Sequence, residues 1–173
     1  PGPGQPKASA VVGAGASGAE LASAYIRFGT EVKLLETLDQ ILPAQDKDAA
    51  RVVERTFKKQ GIEVSTGTPV ENVEVGKDSV KFTYGDNSAE VDYLMIAGGR
   101  VPDIGPLGLE AAGVKLDDNG RVQVDEYQRT SNEKVYAIGD IVRGSALAHK
   151  AMEEGVVAAE HASGAETHPV NLD

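Results

Sequence analysis

The alternation of apolar and polar positions opens on a short buried strand over residues 8–12, Ala-Ser-Ala-Val-Val, which stops at Gly13-Ala14-Gly15. A helical pattern follows over about 17–28, with Gly29 placed as its C-cap. Residues 31–36 then read as a second strand. Strand, glycine-rich turn, helix and strand in this order predict a βαβ unit and so a parallel sheet with a right-handed crossover. Asp46 is positioned to cap a second helix running to Gln60. Its expected apolar face is Ala49, Val52, Val53, Thr56 and Phe57, with Gly61 at the end. A third strand is expected over 62–64.

Beyond residue 70 the period changes. Alternating stretches over 70–75, 80–84 and 89–93 are separated by Gly76-Lys77-Asp78 and Gly85-Asp86-Asn87, the pattern of an antiparallel meander. A buried strand over 93–97 ends in Gly98-Gly99-Arg100, and loops dominate 101–113. Strand pieces are expected at 122–124 and 135–138, the second ending in Gly139-Asp140. A last helix is expected over about 146–163, with Ala148, Ala151, Met152, Gly155, Val156 and Ala159 as its packing stripe.

Composition narrows the function. With 173 residues and 40% hydrophobic content, the chain has enough apolar material for one compact domain or two small ones. It has no cysteine, which removes disulfide, thiolate-metal and thiol redox chemistry from its own side chains. The net charge of −10 opposes binding to a phosphate backbone, so nucleic acid is excluded as a partner, whereas a single nucleotide is not. No apolar run approaches membrane length, and the Pro/Gly-rich start over 1–7 reads as a linker rather than a leader. The expectation is a cytoplasmic protein with no membrane partner.

The chemistry lies at the first turn. Gly13-x-Gly15-x-x-Gly18 follows a strand and opens a helix. In that context the first glycine permits the tight turn, the second admits a pyrophosphate to the backbone, and the third lets helix and strand pack closely. Free amides at the helix start then face the phosphates. Glu36 lies 23 residues after Gly13, at the end of the second strand. The spacing matches the ~20 residues expected of the acid that accepts hydrogen bonds from the adenosine ribose. No Lys or Arg follows before Lys47, so a 2′-phosphate finds no cation, which favours NAD over NADP. Ser17 has no base partner in sequence. His161 and His168 are expected to face solvent and match no metal spacing. These residues predict an α/β fold with a Rossmann-like parallel sheet and an inserted antiparallel β-meander. Their partner is a small-molecule dinucleotide.

Four stretches occur in one order: Val-Val-Gly-Ala-Gly-Ala-Ser-Gly-Ala-Glu at 11–20, Gly-Gly-Arg-Val-Pro-Asp at 98–103, Val-Tyr-Ala-Ile-Gly-Asp at 135–140 and Leu-Ala-His-Lys-Ala-Met-Glu-Glu-Gly at 147–155. Together they resemble the flavin-dependent pyridine nucleotide–disulfide oxidoreductases. The last stretch is nearest to the branch that oxidises dihydrolipoamide rather than to the glutathione or mercuric reductases. The resemblance covers residues 6–160. It implies an NAD-binding domain over 1–113, then a partial FAD-domain segment over 114–173. The first FAD segment, with its redox cysteine pair, and the interface domain, with its His–Glu pair, have no counterpart here. The resemblance also implies a homodimeric parent enzyme that passes electrons from dihydrolipoamide through a disulfide and FAD to NAD. This chain would hold the cofactor without completing the reaction, and would pair with those other segments or with another chain. A non-catalytic dinucleotide-binding module is the alternative.

By the same resemblance Gly13, Gly15, Ala16, Ser17 and Gly18 cradle the NAD pyrophosphate, and Glu36 holds the ribose. Val70 lies beside the adenine and Gly99 beside the nicotinamide ribose. Glu20, on the first turn of the helix, pairs with a flavin-side lysine that this chain lacks. Asp140 binds the flavin ribityl chain, and Ala146, Leu147, Ala148 and His149 line the flavin ring. No catalytic residue and no metal ligand is implied.

Overall fold

The computed structural model describes residues 4–170. Part of the linker expected over 1–7, and the last three residues of the expected 114–173 segment, therefore lie outside the described residues. The chain divides into two compact units that meet in sequence at Arg100 and Val101.

In the first unit, strands β1 (Ala8–Val12), β2 (Glu31–Leu35), β3 (Glu63–Ser65) and β7 (Tyr93–Ile96) form a parallel sheet in the order β3-β2-β1-β7. Helices α1 (Ala16–Arg27) and α2 (Lys47–Lys59) make the crossovers. Strands β4 (Val70–Val75), β5 (Val80–Tyr84) and β6 (Asn87–Val91) form the expected antiparallel sheet. Side chains alternate across β1 and β2. Val11, Val32 and Leu34 face a core with Ala19, Ala22, Phe57 and Ile62 on the helical side. Ala10 and Leu35 face the opposite way, into a core with Phe82, Tyr84 and Val91. The parallel sheet is thus covered by helices on one face and by the meander on the other, and β1 and β7 read as almost continuous apolar runs.

Helix ends follow the local chemistry. Asp46 caps α2, its Oδ1 accepting from the amides of Asp48 and Ala49 at 2.9 and 3.2 Å. Phe28 takes the C-cap of α1, and Gly29 lies one residue beyond it with φ of 84°. The expected face of α2 is corrected by the structure. Ala50 and Phe57 are buried, with Val53 partly so, whereas Ala49 and Thr56 are exposed and Val52 is 61% exposed. Val53 and Phe57 stay on the packed face as expected, but Ala50 and the partly buried Glu54 take the places expected of Ala49, Val52 and Thr56.

The second unit is built around Val114, Val122, Ala137 and Val142, with Leu109, Val124, Val135 and Ile141 against them. The strand pieces expected at 122–124 and 135–138 are present only as single bridges, Leu116 with Val122, Val122 with Val142, Val124 with Thr130 and Arg129 with Tyr136. The backbone is engaged in turns instead. Asp117 Oδ1 accepts from the amides of Asn119 and Arg121, and Asp125 Oδ1 from those of Tyr127 and Arg129. The unit also begins earlier than the expected boundary at 113/114. Leu109 packs into its core, and the side chains of Asn132 and Ser131 donate to the carbonyls of Ala112 and Gly113 at 2.7 and 2.9 Å. Helix α3 (Ala148–Ser163) closes the unit. Its expected packing stripe is likewise corrected. Ala148 and Ala159 are exposed, as are Met152 at 72% and Val156 at 57%, while Lys150, Glu154, Val157 and Ala158 are buried. Among the described residues no helix is long and apolar enough to cross a membrane.

Three carboxylates are held below their ordinary range. Glu63 is lowered by its hydrogen bond from Lys33, against a smaller opposing effect of burial, with the Tyr84 hydroxyl adding to it. Asp92 is lowered by the amides of Ala8 and Lys7, at 3.0 and 2.5 Å. At Asp125 burial works in the opposite direction, but the amides of Arg129 and Tyr127 and the Arg129 guanidinium prevail. Each group stays charged in the folded chain where the unfolded chain takes up protons. Its contribution is complete above its ordinary value, 3.8 for aspartate and 4.5 for glutamate, and is lost as pH falls through the lower folded-state value. The melting temperature is expected to be flat near neutrality and to fall steeply below about pH 4. Asp92→Asn should make that acid limb shallower. An unchanged limb in Asp92→Asn would show that Asp92 does not contribute to the acid response.

Candidate functional site

The chain order of the first unit reverses at β1. From β1 the sheet runs through β2 to β3 on one side, whereas β7 joins on the other. In open α/β sheets, ligands bind outside the carboxyl ends of the strands at such a reversal. The Gly13–Gly18 turn lies there at the end of β1, and Gly98-Gly99 lies beside it at the end of β7. The Ala97 amide donates to Val12 O at 2.7 Å, and the Gly13 amide donates to Leu35 O at 2.8 Å.

The three glycines of the turn are required for different reasons. A Cβ on Gly13, which has φ of 95°, would come within 2.5 Å of Ala97 O and 2.9 Å of Gly98 Cα. A Cβ on Gly18 would lie 1.8 Å from Gly13 O. Both positions are closed by the protein's own backbone. Gly15 is the opposite case. It is the N-cap of α1 with ordinary extended backbone angles, φ −66° and ψ −172°, and a Cβ there would meet nothing within 4 Å. Neither backbone strain nor packing within the protein demands glycine at 15. What glycine leaves there is an open approach to the backbone.

That approach ends on free donors. No side chain caps α1, and its first intrahelical bond is Ala19 N to Gly15 O, at 2.9 Å. The amides of Ala16, Ser17 and Gly18 therefore precede the hydrogen-bonded ladder, at the positive end of the helix dipole. The side chains of Ala16 and Ser17 are exposed. The loop after β2 braces the turn from below, with Leu42 N donating to Ala14 O at 2.7 Å and Ile41 fully buried against Ala14.

Glu36 is only 8% exposed. Its Oε2 accepts from the Ala14 amide at 2.6 Å, and its Oε1 accepts from the Leu38 amide at 3.0 Å. The carboxylate is thus clamped to the middle of the glycine turn, with acceptor capacity remaining on each oxygen. The sequence spacing located Glu36 but not these two amides. They lie on residues whose side chains carry no signal.

The structure places the other expected residues as follows. Val70 opens β4, half-buried against the Phe82 and Tyr84 core. Gly99 has φ of 103° and open space around it. Glu20 is exposed and lies past the first turn of α1, not on it, and no ion pair holds it among the described residues. In the second unit, Asp140 is exposed within a 3-10 turn, Gly139–Ile141. Ala146, Leu147, Ala148 and His149 are exposed at the start of α3, which has no side-chain cap. His161 corrects the expectation of a solvent-facing residue. It is half-buried, stacked on Tyr127 with centroids 4.7 Å apart, and its Nδ1 is 2.7 Å from the Tyr136 hydroxyl. The sequence reading missed Lys150 and Glu154, buried beneath α3, because an i, i+4 pair of opposite charges ordinarily marks a solvated helix face.

Comparison with known proteins identifies the family and the fold. The profile of the family described as pyridine nucleotide-disulphide oxidoreductase matches residues 3–155. The chain is 42% identical over 172 residues to a dihydrolipoyl dehydrogenase of Geobacillus stearothermophilus, covering 97% of this chain and 36% of the relative. It thus spans about a third of the length of the curated relatives it matches. Among solved structures it superposes on LpdA from Mycobacterium tuberculosis with a TM-score of 0.88 at 32% identity, covering 97% of this chain and 37% of that one. A water-forming NADH oxidase from Lactobacillus brevis, solved bound to NADH, gives a TM-score of 0.84 at 26% identity, with 96% and 38% covered.

Proposed function

The chain belongs to the pyridine nucleotide-disulphide oxidoreductase family, and we propose that it is the NAD(H)-binding part of a dihydrolipoyl dehydrogenase, with its second unit contributing to the FAD site. The parent enzyme, a homodimer in this reading, takes electrons from dihydrolipoamide through a disulfide and FAD to NAD. This chain has no cysteine, so its own residues serve to bind and orient.

One observation carries the proposal. The open space at Gly15 leads to the unpaired amides of Ala16, Ser17 and Gly18, with the clamped carboxylate of Glu36 beside the same turn. Anionic oxygens of a pyrophosphate match those amides in charge and in donor geometry. Glu36 offers lone pairs to ribose hydroxyls and repels a 2′-phosphate. In the second unit, the exposed Asp140 and the uncapped start of α3 offer an acceptor and free amides to a flavin dinucleotide. NAD, when bound, accepts or delivers hydride. The protein's part is to fix the dinucleotide through backbone groups that need no reorganisation.

Titration of the chain with NADH tests the reading. Enhanced nicotinamide fluorescence is expected, with binding of NADPH at least tenfold weaker. Gly15→Val should weaken NADH binding at least tenfold and leave the circular dichroism unchanged. No response to millimolar NADH would overturn the proposal.

A further inference from the structure

Beneath α3 the second unit buries an ion pair with no place in the dinucleotide contacts described above. Lys150 and Glu154 stand one helical turn apart, with their side chains 4% and 2% exposed and Nζ 2.8 Å from Oε1. Both also engage one peptide unit. Glu154 Oε2 accepts from the Gly139 amide at 2.7 Å, and Lys150 Nζ donates to Gly139 O at 3.3 Å. Gly139 is itself buried, has φ of 76°, and immediately precedes Asp140.

The lysine stem reaches a second point of the same loop. A Cβ on Gly144 would lie 2.6 Å from Lys150 Cε, so the stem runs directly along the Gly144 backbone. The side chain therefore touches the loop at residues 139 and 144, on either side of 140–143. Arg121 holds the same end from the other direction, its Nη1 donating to Gly144 O at 3.3 Å.

A buried ion pair is a poor way to gain stability, since desolvation offsets most of the Coulombic attraction, and well-packed apolar side chains at such sites are often as good or better. What an apolar pair cannot supply is an acceptor for the buried Gly139 amide. The pair instead fixes a peptide in a left-handed conformation, one residue before the exposed carboxylate.

We propose that Lys150 and Glu154 are positioning residues. They grip the Gly139 peptide on both its polar groups and so set where Asp140 and the loop leading into α3 point. The part of this inference that concerns flavin rests on the reading of Asp140 as a flavin-dinucleotide ligand. The grip on the loop does not.

Amide hydrogen exchange on the 173-residue chain separates a positioning role from a merely structural one. The double variant Lys150→Met/Glu154→Met keeps the volume and removes both charges. Its melting temperature should fall only by the cost of the Gly139 amide left without an acceptor and the protection of the Val122 amide should be largely kept, while the Gly139 amide exchanges at least a hundredfold faster. Lys150→Met/Glu154→Gln, which keeps a carbonyl acceptor without leaving a buried ammonium unpaired, should restore most of that protection. Equal loss of protection at Gly139 and Val122, or unchanged exchange at Gly139, would overturn the inference. Titration with FAD is the separate arm. If the unsubstituted chain binds FAD, the double variant should bind at least tenfold more weakly, and equal affinity would overturn the link to the cofactor. If the unsubstituted chain does not bind FAD while Gly139 responds as described, the reading of Asp140 fails and the grip on the loop stands.

Discussion

Gly18→Ala is expected to destabilise the first unit by about 3 kcal/mol or more, the upper end of what overpacking costs. The added methyl would sit 1.8 Å from Gly13 O, and the obstacle is backbone on both sides. Relief requires α1 to lift from β1, which opens the contacts of Ala19 and Ala22 with Val11 and Val32. For a unit of about 100 residues each 1 kcal/mol moves the melting temperature by about 4–8 °C, so a drop of roughly 12–24 °C is expected in the transition of that unit. Thermal melting by circular dichroism measures it. Gly15→Ala is the control. The same methyl, three residues earlier, meets nothing within 4 Å and should leave the melting temperature unchanged. A chain that tolerates both substitutions equally would show that helix and strand are not packed as closely as described.

Glu36→Ala should act on stability and binding together. Removal of the carboxylate leaves the buried Ala14 amide and the partly buried Leu38 amide without their acceptor. Each unsatisfied amide costs about 1–3 kcal/mol, so a loss of roughly 2–4 kcal/mol is expected, less where water enters. NADH affinity should fall at least tenfold, because the turn that presents the amides is no longer anchored through Ala14. Glu36→Gln separates the two effects. Its carbonyl oxygen can still accept from one amide, so part of the stability returns, while the lost charge narrows the preference for NADH over NADPH. Chemical denaturation and NADH titration of both variants provide the test. Unaltered stability in Glu36→Ala would mean that the clamp on the turn does not support it.

The parts of this molecule that are legible in the sequence are those where a local rule and the tertiary environment agree. The strand over 8–12, the glycine turn and the capped start of α2 depend on neighbours a few residues away, and on those the reading and the structure coincide. The spacing from Gly13 to Glu36 works because the βαβ geometry fixes its length. The failures share a cause. The faces of α2 and α3 are chosen by what packs against them, and a stripe of small residues on α3 does not reveal that Lys150 and Glu154 turn inward to hold Gly139. The strand pieces over 122–124 and 135–138 carry apolar residues of strand type, yet they make only single bridges, next to the turns that Asp117 and Asp125 hold. His161 reads as a surface histidine until Tyr127 and Tyr136 are brought to it across the fold.

The pairing of β1 with β7 joins residues 8–12 to 93–96, the two extremes of the first unit. Non-local pairings of this kind pay their loop-closure entropy before they return any energy, and they slow folding. A nascent chain can form α1, β2 and the meander early, but the glycine turn needs Ala97 and Gly98 against Gly13, and these emerge last among the residues of the first unit. The site is therefore a product of complete closure. A dinucleotide that binds only the closed form raises the apparent stability of the whole first unit in proportion to the logarithm of its concentration. On the proposed reading, the abundance of NAD at the point of synthesis becomes a term in whether this unit stays folded.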